Sequence, residues 1–161
     1  MSQSAQSFLP ALLGRPAAAF SLARLLLATA TVVGLCNCAC AGLIPVFAPG
    51  LFTTSAEVAA GMRQLAPVMC AALVLHCASM ATEGLLLAGR DLRWLLGSYA
   101  RNAAACFLTL TLVSRAGWGL PGVWLVFIQF HVTRLAQNGH RIFVSDASPL
   151  KSTAPLQPDE A

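Results

Sequence analysis

The chain has 161 residues, of which 57% are hydrophobic and only 10% charged. With the apolar residues gathered in long blocks, that composition excludes a soluble globular domain and a disordered chain, and it points to an all-α protein embedded in a lipid bilayer. The net charge of +4 comes from dispersed basic residues without interleaved aromatics, so it reads as membrane topology and not as a nucleic-acid surface.

Residues 1–24 are rich in Ser, Gln and Ala, carry arginines and contain no acid, the first being Glu57. This fits a lead-in to a first span on the cytoplasmic side, and it also has the character of an organelle transit segment. Four apolar spans follow, at residues 25–47, 65–89, 94–114 and 118–137, each near the roughly 20 residues needed to cross a bilayer. Ala39-Cys40-Ala41 imitates a signal-peptidase site, yet the apolar block runs on toward Phe52. Pro45, Pro49 and Gly50 close the first span. Thr54-Ser55-Ala56-Glu57 has a capping-box pattern that opens an outside turn or helix, and Pro67 falls in the first turn of the second span. Arg90-Asp91-Leu92-Arg93 makes a tight inside turn, and Gly117–Gly122 a Gly-rich turn before the fourth span. Residues 138–161 are a polar cytoplasmic tail, expected to be disordered from Ser145 onward.

The basic residues test this topology. With the N-terminus inside, Arg15, Arg24, Arg90, Arg93, Arg101, Arg134, Arg141 and Lys151 lie at or near the cytoplasmic face, and only Arg63 and Arg115 lie outside. Arg101 interrupts the third span but is close enough to its cytoplasmic end to snorkel back. Trp94 and Trp118 fall at interfaces, where indoles are enriched. Both termini are therefore expected in the cytoplasm, or in the stroma if the membrane is that of a plastid.

Several motif matches carry no chemistry. Gly117-Trp118-Gly119-Leu120-Pro121-Gly122 fits a dinucleotide fingerprint, but no strand precedes it and Pro121 sits where a helix should open. Cys36, Cys38 and Cys40 alternate across a helix and have no His or acid nearby, so they read as small packing residues and not as metal ligands. Ser79, His76 and Glu83 share one helix and have no oxyanion donor, which excludes a catalytic triad. No enzyme, cofactor or metal is expected.

One polar stripe remains. Met69, Ala72, His76, Ser79, Met80 and Glu83 share a face of the second span. Counted from Leu65, His76 is about 16 Å deep, near the midplane, and Glu83 about 27 Å, near the cytoplasmic boundary. Ionisable groups at such depths are costly in hydrocarbon and mark ion relays in transporters. The alternative is structural, with His76 satisfied by a helix neighbour and Glu83 paired with Arg90 or Arg93. Gln129 on the fourth span is a further candidate for the same cavity.

The segments Phe52–Val58, Leu65-Ala66-Pro67, Glu83–Asp91 and Gly119–Trp124, with Gln129 and Arg134, resemble in order and spacing the last four helices of a multidrug and toxic compound extrusion (MATE) transporter. The closest type is the plant and algal one, often plastid-targeted and related to bacterial damage-inducible exporters, and the resemblance covers about Ala17 to Arg141. It implies two six-helix bundles around a central cavity, with export of a small organic substrate in exchange for protons or sodium ions. It makes the four spans helices nine to twelve. Some members carry an acid on helix ten eight residues before the glycine that matches Gly84. His76 stands there in this chain, which favours a proton over sodium as the coupling ion. The family's remaining helices are missing, so a fragment of a longer transporter, or assembly with a partner chain that supplies them, is expected. A membrane accessory or regulatory subunit that has lost the pathway, or a non-functional truncated product, is the competing reading.

Overall fold

A computed structural model describes residues 2–151. Five α-helices carry the fold, and no strand occurs among the described residues: α1 (Ser2–Phe8), α2 (Pro16–Phe47), α3 (Ala56–Ala88), α4 (Leu92–Arg115) and α5 (Gly119–Gly139). Each expected apolar segment falls within one helix, apart from the last residue of the second and the first of the fourth. Two helices, α2 and α3, are long and apolar enough to cross a membrane.

Local chemistry sets the boundaries. Pro16 opens α2 at a position where a missing N–H is harmless, and Pro49 follows its end. Ser55 caps α3, its hydroxyl accepting the Val58 N–H at 3.4 Å. From that cap α3 runs unbroken to Ala88, so the expected outside helix and second span are one element. Pro67 accordingly lies inside α3, about three turns from its start, and not in a first turn. Arg90 takes the left-handed conformation that closes α3, with φ 56°. Gly117 and Gly119, with φ 67° and 61°, make the tight turn into α5, as a Gly-rich turn should.

α3 is the central helix. α2 packs antiparallel to it along a stripe of small residues: a Cβ on Gly34 would stand 3.0 Å from the Val74 Cα, and one on Gly42 would stand 2.6 Å from the Cys70 sulfur. Cys38, between those glycines, faces α3 and accepts at its carbonyl from the Cys70 thiol at 3.3 Å, while Cys36 and Cys40 are exposed. α4 runs back beside α5, and α5 runs parallel to α3.

The best-buried core lies at one end of the bundle. It joins Ala5 and Leu9 with Ala19, Ala23 and Leu26 of α2, Leu85 and Leu86 of α3, Leu95 of α4, and Ile142 and Leu150. Two expectations change here. Residues 2–12 are not a loose lead-in: α1 seats on α3, where a Cβ on Gly84 would come within 2.5 Å of the Ser2 Cα. Residues 138–151 are not a disordered tail either. The chain continues through a π-turn (His140–Val144) to a 3-10 turn (Pro149–Lys151), and the Ser148 hydroxyl donates to the Ile142 carbonyl at 2.6 Å. Isolated apolar residues in polar surroundings find the core only when the chain folds back, which leaves no periodic signal. The rest of the expected tail, 152–161, lies outside the described residues.

Much of the remaining surface is apolar. Leu25, Val32, Leu35 and Leu43 on α2, and Leu96, Phe107 and Leu108 on α4, are all exposed. Contiguous apolar faces of this kind mark contact with lipid or with other protein.

Candidate ion-coupling site

The parallel packing of α3 and α5 brings two polar stripes together. On α3, His76, Ser79 and Glu83 are spaced by three and four residues, which keeps them on one face. On α5, His131, Arg134 and Asn138 repeat the same spacing. The stripes meet in register. The Ser79 hydroxyl donates to the His131 carbonyl at 3.2 Å, and one level along Arg134 Nη2 meets Glu83 Oε2 at 2.8 Å.

Glu83 is held on all sides. Arg134, 3% exposed, neutralises one oxygen, and the Tyr99 hydroxyl from α4 donates to the other. The guanidinium stacks over the Tyr99 ring at 4.0 Å from its centre and stands 5.5 Å from that of Phe130. A charge-assisted bond of this length between groups so little exposed binds three helices at one point. On the structural alternative the partner of Glu83 is Arg90 or Arg93. The ion pair it makes is with Arg134 from α5.

His76 meets a different environment. Its ring is in edge contact with that of His131, centres 5.0 Å apart at 79°. His131 is 1% exposed and has Phe127 and Phe130 against its other edges at 4.6 and 5.1 Å. Neither nitrogen of His131 has a hydrogen-bond partner, nor has Nδ1 of His76. Buried polar atoms without partners are uncommon, and they cluster where a protein binds or moves something. His76 also borders an apolar groove of about 440 Å³ among α2, α3 and α5, with Met69, Trp124 and Phe127 on its walls.

Gln129 is not brought to this place. It is two residues from His131, about 200° around α5, and so faces away from the seam. His131, Tyr99 and Asn138 were not singled out from the sequence. The signal for two of them was present in the matching three-and-four spacing on α5. Tyr99 had none, since its place depends on how α4 crosses.

Alongside the seam, Asn102 and Ser98 tie α4 to α5 through the Phe130 carbonyl at 3.1 Å and the Gln137 side chain at 2.8 Å. Arg141 pairs with Asp91 at 2.6 Å, and with Arg101 it flanks Trp94, at 5.2 and 5.1 Å. Arg101 thus bends back toward the start of α4, the direction that snorkelling requires.

The chain is 32% identical over 159 residues to Protein DETOXIFICATION 47, chloroplastic, of Arabidopsis thaliana. That relative is a plant MATE protein, and the chain is similar to part of it. The match takes in 96% of this chain and 29% of that relative, so the chain spans less than a third of the relative's length. No protein-family model and no solved structure matches it.

Proposed function

We propose that this chain forms part of a secondary active transporter that exports small organic compounds in antiport with protons. The single observation that carries the reading is the likeness to a MATE protein along 96% of the chain. The α3–α5 seam gives it a physical basis, because an acid and two imidazoles aligned between helices of an apolar bundle are groups that a membrane protein keeps at a cost. On this reading all four long helices, α2 to α5, span the bilayer with both ends on the cytoplasmic or stromal side. Alternating access needs two bundles to move against each other, so the remaining helices come from the rest of a longer polypeptide or from a partner chain. The chloroplast named for the relative makes a plastid membrane the first place to look.

His76 suits a proton better than sodium, since an imidazole nitrogen binds a proton and is not a hard oxygen ligand. Glu83, tied to Arg134 and Tyr99, serves this reading as the group whose pairing opens and closes at one end of the path. The test is efflux from proteoliposomes holding the full-length parent or assembled complex under an imposed proton gradient. Proton-driven efflux is expected, weakened in Glu83→Gln and abolished in His76→Leu. Efflux unaltered in a correctly folded Glu83→Gln protein removes Glu83 from the mechanism. No efflux from the intact assembly favours the accessory-subunit reading.

A further inference from the structure

The structure assigns to His131 the second half of a two-imidazole proton site: we propose that His76 and His131 hold one proton between them as an N–H···N pair joining α3 to α5. Where the proton is used in antiport this rests on the transport reading, but the pair itself does not.

Three observations carry it. The ring centres stand 5.0 Å apart, a separation at which two nitrogens turned toward each other meet at about 3 Å. Three of the four ring nitrogens lack a partner, including both on His131. The other rings against His131 are the apolar Phe127 and Phe130, which offer its nitrogens no hydrogen-bond partner and leave the other imidazole as the natural one. A buried imidazole with neither nitrogen paired is unfavourable, and a shared proton relieves both rings with one charge-assisted bond.

The occupancy is one and not two, because a second proton would set two cations in contact inside an apolar bundle. The groups that face the pair from neighbouring elements are Glu83 along α3, Arg134 along α5, Tyr99 and Cys106 on α4, and the thiols where α2 meets α3. Glu83, Arg134 and Tyr99 are engaged with one another. A proton resting on His76 leaves His131 as acceptor, whereas the reverse places the charge nearer the Arg134 guanidinium, one turn along α5. His76 borders the groove and His131 does not, so the proton enters and leaves through His76. Separation of α3 from α5 would break the bond and release the proton, which couples protonation to helix movement.

The chain has three histidines. The third, His140, is exposed beyond the seam, so His140→Gln leaves the pair as the only imidazoles. The experiment is nitrogen NMR on the full chain in lipid bilayers with 15N-labelled histidine in that background. The expected result is a scalar coupling between one His76 nitrogen and one His131 nitrogen, with a single proton taken up by the pair on acidification. Two rings that titrate independently to two imidazolium ions, or neutral rings without coupling, overturn the proposal. Because the coupling is read without altering either member, it does not depend on whether His131→Gln folds. His76→Gln should abolish the coupling and leave the His131 signal in place. A coupled pair in an assembly without efflux would sink the transport reading alone, and efflux with uncoupled imidazoles would sink the pair alone.

Discussion

Glu83 and Arg134 close an ion pair of 2.8 Å between α3 and α5, and the Tyr99 ring of α4 supports it as hydroxyl donor to one member and stacking surface for the other. In an apolar bundle, attraction between helices does not come from the hydrophobic effect alone, and polar contacts of this kind decide which faces meet. The pair fixes the register of α3 against α5, and that register in turn sets His76 beside His131.

Breaking the pair from one side should be costly. Arg134→Leu strands a carboxylate that is only 15% exposed, and Glu83→Gln leaves a buried guanidinium without its counter-charge. Each should lose about 3 kcal/mol of stability, the lower part of the range for a buried pair, because Tyr99 stays in place. Thermal unfolding of the two single variants and of Glu83→Gln with Arg134→Gln forms the check. The double variant should be more stable than the sum of the two losses implies, and simple additivity would show that the groups do not interact.

Gly84 should behave as a seat for α1. A valine there puts a Cβ within 2.5 Å of the Ser2 backbone, which has no flexible side chain to yield, and overpacking of this sort costs about 1–3 kcal/mol. Tryptic cleavage at Arg15 should accelerate in Gly84→Val as α1 lifts from α3. Gly61→Val, at a position with open space, should cleave at the parent rate. Equal rates in both variants would mean that α1 does not depend on Gly84.

The topology is open to thiol labelling in a cysteine-free background. Phe52 and Trp118 are exposed at one end of the bundle, and Lys151 lies at the other. With α2 to α5 crossing a bilayer, a membrane-impermeant maleimide should reach Phe52→Cys and Trp118→Cys from the same side and Lys151→Cys from the opposite side. Labelling of all three from one side would rule out a four-span arrangement.

The helices were largely legible because each is bounded by local chemistry. Pro49, Ser55, Gly117 and Gly119 act on their immediate neighbours, and an apolar run of the right length is visible without knowing what it touches. Pro67 is the exception, since a helix already propagating from a good cap carries on through a residue that would otherwise mark a start. The α3 half of the site was equally readable, as His76, Ser79 and Glu83 are related by helical periodicity alone.

What the sequence by itself determined, then, is an all-helical chain with long apolar helices, some of their ends, and one polar stripe carrying His76 and Glu83. Only the tertiary structure decided which stripe that one meets, that Glu83 takes Arg134 and Tyr99 instead of Arg90 or Arg93, that Gln129 points elsewhere, and that α1 and residues 140–151 close one end of the bundle. The physical reason is range: caps, turns and periodicity act within a few residues of chain, whereas the pairing of residues fifty positions apart depends on which helix faces pack, and small residues such as Gly34, Gly42 and Gly84 settle that by allowing backbones to approach.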